Sequence, residues 1–298
     1  MKFAAIDIGS NAIRLLFANV YETKNGPVFY KDELVRVPVR LGEDAFLTGK
    51  ISDAKADLVV KTMKAMKLLM DIHKPVAYKA CATSAMRDAQ NGPALIKRVH
   101  KEAGIDIQLL SGEAEASVIM RYPLKQAGID TLGSYLYIDV GGGSTEFALL
   151  DQGKMVRNRS FNIGTLRILN DQVEETDWKQ QMKWLQEVKQ DFPKLAAIGV
   201  GGNINKVMKM YGKQGRLYLT PALLKKVLAY IEGLSMAERI RDLGLKPDRA
   251  DVIVPAMRIY VNALKWAGVE RIYVPKQGLS DGIITELWEA HRNNARRH

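Results

Sequence analysis

YLYIDVGGGSTEFALL, residues Tyr135–Leu150, is the stretch on which the reading of this chain turns. Leu136, Ile138 and Val140 alternate as the buried side of a strand, and Asp139 stands at its C-terminal end. Gly141, Gly142 and Gly143 then turn the backbone sharply, and Ser144 and Thr145 lead into a second apolar strand. A turn without Cβ atoms lets its N–H groups close around phosphate oxygens. A carboxylate beside it can hold Mg2+, a hard cation that keeps several waters and reaches phosphate through them. Taken alone, the stretch fits a plain glycine-rich hairpin as well as it fits a phosphate loop.

A second copy of the pattern changes that balance. Phe3–Phe17 reads FAAIDIGSNAIRLLF, in which Asp7 matches Asp139, Gly9 matches Gly141 and Arg14 matches Glu146 at one offset (139 − 7 and 146 − 14 are both 132). Strand, Asp-x-Gly, tight turn and strand therefore occur twice, which predicts two similar halves. Two phosphate loops in two such halves predict a cleft with one loop on each wall.

The 298 residues, 47% of them hydrophobic, suffice for two ordinary cores. Lysine and arginine outnumber aspartate and glutamate by 44 to 33, a net charge of +11. Such a balance suits an anionic partner: nucleic acid, a membrane surface or a polyanionic small molecule. The basic residues are spread along the chain, with one short cluster at Arg292–Arg297 and no basic helix with interleaved aromatics. We therefore expect no nucleic acid as partner. Cys81 is the single cysteine, which excludes an intrachain disulfide and a cysteine metal cluster. His73, His100, His291 and His298 have no ligand spacing and are expected at the surface. Asp7 interrupts the first apolar run early, and no run reaches membrane-spanning length. A cytoplasmic protein without membrane contact is the expectation.

In chain order, residues 2–8 and 13–20 read as strands around the first glycine turn. Asn25-Gly26 is a hairpin signal, with a third strand over Val28–Val39. Leu41–Gly49 reads as a polar, glycine-bearing loop. Ser52 can cap a helix with Val59, Met63, Met66 and Met70 as its buried stripe, ended by Pro75. Strand Val76–Ala80 delivers the chain into Cys81–Asp88, whose small residues and Arg87 make another anion-facing loop possible. Asn91-Gly92-Pro93 restarts a helix that Gly104 stops, strand Ile105–Leu110 follows, and Ser111 opens the next helix. A hinge is expected near residues 121–134. The second half begins with three strands over 135–160, then a helix over 176–191 with Trp178 and Trp184 inward, and strand Leu195–Val200. GVGGN, Gly199–Asn203, is a third glycine-rich strand-to-helix turn; helices around 220–242 and 248–267, strand Arg271–Val274 and the turn Gly278–Gly282 precede a closing helix. This order predicts mixed sheets covered by helices.

IDIGSNAIRLL, CATSAMRDAQN, LSGEAEA, IDVGGGSTEF, FNIGTLRI, GVGGN and GLSDG jointly make the chain resemble the exopolyphosphatase/guanosine pentaphosphate phosphatase family, a branch of the actin and sugar-kinase ATPase superfamily. The motifs run in the family's order along nearly the whole chain, although GVGGN and GLSDG are weak alone. The resemblance implies an α/β fold of duplicated ribonuclease-H-like domains, 1–124 and 125–298, with the active site in the interdomain cleft. The last helix, about 281–298, is expected to pack back on the first domain. A homodimer is implied, as is Mg2+-dependent release of terminal phosphate from inorganic polyphosphate or from guanosine pentaphosphate. Position by position, it implies that Asp139 holds Mg2+ through water, with Glu146 assisting and Asp7 as a second contributor. Gly9, Ser10, Asn11 and Arg14, and Gly141, Gly142, Gly143, Ser144 and Thr145, become two phosphate cradles. Arg87, locally an ordinary solvated arginine, becomes the group that neutralises a phosphoryl oxygen. Glu115 becomes the general base, while Glu113 fits a helix-start glutamate favoured by the dipole.

Longer family members continue into an all-helical domain, so a chain ending at His298 is expected to favour short polyphosphate or the alarmone over processive digestion. Two other readings stand beside hydrolysis. An ATPase or kinase of the same superfamily would use GVGGN to hold an adenosine. A non-catalytic alarmone or polyphosphate sensor would need the cradles but not Glu115, Asp139 and Glu146.

Overall fold

The structure, a computed structural model, describes all residues except 25, 125–127, 131 and 296–298. Asn25 of the expected hairpin, part of the expected hinge and the end of the basic tail lie outside the described residues. The chain forms two compact units, Met1–Pro123 with the stretch from Leu279 onward, and Leu124–Gly278.

The first unit opens with β1 (Lys2–Ile8), β2 (Ile13–Thr23) and β3 (Gly26–Val37), followed by α1 (Leu41–Thr48) and α2 (Asp53–His73). It continues through β4 (Ala77–Ala82), α3 (Ser84–Asp88), α4 (Gly92–Ala103), β5 (Ile107–Leu109) and α5 (Gly112–Ile119). The sheet order is β3-β2-β1-β4-β5, with β1 antiparallel to β2 and parallel to β4. β1 is central because six of its seven side chains are apolar or paired and buried. α2 starts at Ser52, whose hydroxyl accepts from Lys55 N, and buries Val59, Met63, Met66 and Met70 as the periodicity demands.

Leu41–Gly49 is helix α1 rather than a loop. Leu41, Ala45 and Phe46 are buried at helical spacing, and Gly49 closes the helix at φ +70°. The charges that made the stretch look like a loop are paired: Lys55 Nζ meets Glu43 at 3.0 Å and Asp44 at 2.7 Å, and Arg40 bonds Glu43. His100 is exposed as expected, whereas two other histidines are partly buried. His73 stacks on Phe17 with ring centroids 4.2 Å apart, and His291 meets the edge of Phe3, because an imidazole has apolar faces to bury.

The second unit contains β6 (Ser134–Val140), β7 (Thr145–Asp151), β8 (Lys154–Phe161), α6 (Thr165–Leu169), α7 (Glu175–Asp191), β9 (Leu195–Val200) and α8 (Gly202–Tyr211). It ends with β10 (Tyr218–Leu219), α9 (Pro221–Glu232), α10 (Met236–Arg241), α11 (Pro247–Ala250), α12 (Ile253–Ala267) and β11 (Ile272–Tyr273). The sheet order is β10-β11-β9-β6-β7-β8. α12 runs through the core, burying Ile253, Met257, Tyr260 and Leu264. Trp184 is buried against Phe147 and Phe161, whereas Trp178 is half-buried against Trp266. The expected helix over 220–242 is two helices, because Ser235 and Glu238 form a capping box after Gly233. Likewise 248–267 divides into α11 and α12, with Pro255 in the first turn of α12, where its missing N–H costs nothing. The short elements α6 and β10 went unread.

The last helix, α13 (Leu279–Ala295), belongs to the first unit and packs along β1 and α5 through Ile283, Ile284 and Trp288. Each half repeats the same core of strands. Asp7 pairs across the ladder with Arg14, and Asp139 with Glu146. Asp7 also faces Cys81 on β4, as Asp139 faces Val200 on β9.

Candidate active site

In the first unit the glycine turn is closed by Gly9 N donating to Ala12 O at 3.1 Å. Helix α1 holds it from outside: Gly42 N donates to the Ser10 carbonyl at 2.9 Å, and Arg40 N to the Asn11 carbonyl at 3.0 Å. The Ser10 and Ser84 hydroxyls, both buried, are 2.8 Å apart, so the turn is tied to α3, the helix that carries Arg87. Arg87 donates to Leu110 O at 2.9 Å and has Asp88 at 3.4 Å. Leu110 and Ser111 lead into α5, where the Ser111 hydroxyl accepts from Ala114 N at 3.2 Å. On that helix Glu115 is buried and Glu113 exposed, two environments for two carboxylates two residues apart. Asp7 is buried and its carboxylate meets Arg14 Nη1 at 2.6 Å. Cys81, beside Asp7 in the ladder, is no nucleophile: burial pushes its thiol up to about 12.

The second unit repeats the turn, Gly141 N donating to Ser144 O at 2.9 Å. Here the carbonyls are turned toward α6. Thr165 N donates to Gly141 O at 3.0 Å, Leu166 N to Gly142 O at 2.8 Å, and Arg167 Nε to Gly143 O at 2.8 Å. Among the described residues, the N–H groups of Gly142, Gly143 and Ser144 have no backbone acceptor, as an anion cradle requires. Gly164 makes this packing possible, since a Cβ there would stand 2.4 Å from Gly142 O. Thr145 Oγ1 donates to Ile163 O at 2.6 Å, pinning the start of β7 to the same segment.

Asp139 and Glu146 lie directly opposite each other on β6 and β7, with carboxylate oxygens within 4.8 Å. Glu146 is buried, and its Oε1 accepts from the Ser144 hydroxyl at 2.5 Å and from the Ser160 hydroxyl at 3.0 Å. Gly201, the third position of GVGGN, lies against the other side of Asp139; at φ +96°, its Cβ would meet Asp139 Oδ1 at 2.7 Å. Beneath them the fully buried Tyr260 hydroxyl donates to Val200 O at 2.6 Å and lies 3.3 Å from Ile138 O. Burial, with the Asp139 charge beside it, raises the Tyr260 phenol well above its usual range and keeps it a donor.

The two copies differ in one decisive respect. The first sets a carboxylate against a guanidinium and is neutral in itself. The second sets two carboxylates face to face, an arrangement that is destabilising between strands unless something positive offsets it. Its donor set is all oxygen, which suits a hard divalent cation.

The model of the Ppx/GppA phosphatase family matches residues 35–291. The chain belongs to this family. It is 31% identical, over 95% of its length, to a bifunctional 3-dehydroquinate synthase/phosphatase of Fusobacterium nucleatum, and spans 46% of that relative. Exopolyphosphatase 1 of Mycobacterium tuberculosis is 23% identical over 95% of this chain and 87% of its own. Among solved structures, an exopolyphosphatase from Cytophaga hutchinsonii superposes with a TM-score of 0.83 at 23% identity, covering 97% of this chain and 98% of that one. A family member from Aquifex aeolicus has a TM-score of 0.75 at 24% identity, with 99% of both chains covered. The likeness establishes the fold, two ribonuclease-H-like α/β domains in tandem. No helix among the described residues is long and apolar enough to cross a membrane.

Sequence motifs reached the turns, Asp139, Glu146, Glu115 and Arg87. They gave no role to Ser84 and Gly164, although both stand inside quoted motifs, they did not include Ser160 or Tyr260, and they gave GVGGN a nucleotide only under the ATPase or kinase alternative. For Gly201 the signal was available: a glycine directly after a buried strand marks a close approach, here to Asp139.

Proposed function

We propose that the protein is a phosphoanhydride hydrolase that releases terminal phosphate from inorganic polyphosphate, short chains included, or from guanosine pentaphosphate, with Mg2+ bound and Glu115 as general base. The observation that carries the reading is the Asp139–Glu146 pair beside a glycine turn whose N–H groups have no backbone acceptor among the described residues. Anionic oxygens and free N–H donors side by side suit a cation-bound phosphate chain better than either ion alone.

Asp139 and Glu146 are the residues that would hold Mg2+, and Ser144 and Ser160 orient the Glu146 carboxylate by donating to it. The metal, when bound, supplies positive charge against the oxygens of the transferred phosphoryl group. The two turns, Gly9–Asn11 and Gly141–Thr145, cradle the phosphate chain through backbone N–H groups and the Ser10 and Ser144 hydroxyls. Arg87 donates to a phosphoryl oxygen as charge builds there. Glu115, buried on α5, accepts the proton of the attacking water. Nucleotide binding at GVGGN is not needed to explain the motif, since Gly201 is required where Asp139 packs.

The test is phosphate release with Mg2+ on short polyphosphate, long polyphosphate, guanosine pentaphosphate and ATP. The reading expects one or more of the first three to be hydrolysed faster than ATP. ATP as the best substrate would replace it with an ATPase or kinase.

A further inference from the structure

The motif GLSDG, Gly278–Gly282, has no role in the chemistry above. Its last glycine sits inside the first turn of α13. Glycine within a helix is unfavourable relative to alanine, so its presence there calls for a reason in packing. A Cβ on Gly282 would stand 2.0 Å from the carbonyl oxygen of Val118, 2.6 Å from its carbonyl carbon and 3.1 Å from the Cα of Ile119. All three atoms are backbone of α5 and cannot swing aside as a side chain can. α5 has only 8 residues, and Val118 lies three positions after Glu115. A push at Val118 therefore moves Glu115 with it.

α13 is itself firmly placed. Asp281, the residue before the contact, is buried and bonded to Lys31 of β3 at 2.8 Å and 3.0 Å. Glu286 pairs with Lys79 of β4 at 2.8 Å, and Glu289 with Arg121, just beyond α5, at 2.8 Å. The helix is thus tied to β3, to β4 and to Arg121, and at Gly282 it makes a close backbone approach to α5.

We infer that α13 sets the position of the general base and that Gly282 is the positioning residue at the contact. The inference rests on the role proposed for Glu115. A displacement of about 1 Å at a reacting group can cost about a hundredfold in rate. The substrate cradle, by contrast, is built from other segments.

The test compares Gly282→Ala, Glu115→Gln and the double variant, measuring phosphate release from short-chain polyphosphate with Mg2+ and amide exchange over Glu115–Ile119. Gly282→Ala is expected to lower kcat at least about tenfold with KM within about twofold, and to speed exchange in α5. Adding it to Glu115→Gln is expected to change kcat less than about twofold, because the group it displaces is already disabled. Should Gly282→Ala fail to fold, Lys31→Met, which loosens α13 without adding atoms at the contact, takes its place in the same comparison, with a loss of a few-fold in kcat. Equal losses in both backgrounds, or a folded Gly282→Ala with normal kcat while Glu115→Gln is disabled, would overturn the inference alone. Normal turnover by Glu115→Gln would instead overturn the reading on which it rests.

Discussion

Glu113 and Glu115 differ by two positions on one short helix, yet one faces solvent and the other is buried. A carboxylate that takes a proton from water in the transition state contributes about 10²–10⁴-fold in rate. Glu115→Gln keeps the shape and loses that capacity, so kcat is expected to fall by about that factor with KM nearly unchanged, while Glu113→Gln stays within about twofold. Steady-state kinetics of the two variants decide it, and the reverse pattern would move the role to Glu113. Cys81 offers a second check at this scale. With its thiol pushed up to about 12 by burial, it holds no thiolate near neutrality. Treatment with iodoacetamide at pH 8 is therefore expected to leave activity intact; rapid inactivation traced to Cys81 would contradict the account. Motif residues were legible one by one because their neighbours in sequence are also their neighbours in space. Tyr260 was not legible, since the carbonyls it serves, Val200 and Ile138, are supplied by strands far from it along the chain.

At the level of elements, the turn Gly141–Ser144 owes its orientation to α6, whose first N–H groups and Arg167 take up its carbonyls. Gly164 is the point of closest approach, 2.4 Å from Gly142 O and Gly143 C for an added Cβ. Backbone cannot yield there as a side chain end would. Gly164→Ala is expected to displace the turn and raise KM for polyphosphate at least about tenfold, a loss of about 1.4 kcal/mol of binding. An unchanged KM in a folded variant would remove α6 from the cradle's support. Strands and long helices were legible from apolar periodicity, as in α2 and β6. Two kinds of element were not. α1 carries its charges as an internal network with Lys55, which composition alone reads as a solvated loop. α6 is a single short turn that buries Leu166 in the core and receives the carbonyls of Gly141, Gly142 and Gly143, and nothing in its own periodicity announces those partners.

Across the whole molecule, duplication explains both what is shared and what differs. The repeat was legible as a constant offset because both copies keep the same ladder register, Asp7 to Arg14 and Asp139 to Glu146. That the copies have diverged in charge is the more informative fact. Arg14 occupies Asp7 at 2.6 Å, whereas Asp139 faces a second carboxylate. The return of the last helix was legible through the resemblance, but the partner of Gly282 was not, for the contact with Val118 joins residues more than half a chain apart. The account's central claim is that the second copy is the metal-holding one. It is tested most directly by titrating Mg2+ in the phosphate-release assay for Asp139→Asn and Asp7→Asn against the unaltered protein. The account predicts that Asp139→Asn raises the half-saturating Mg2+ concentration at least about tenfold, since an amide keeps the shape but loses the charge, and that Asp7→Asn leaves that concentration within about twofold. An unshifted titration for Asp139→Asn, with the shift found in Asp7→Asn instead, would contradict it.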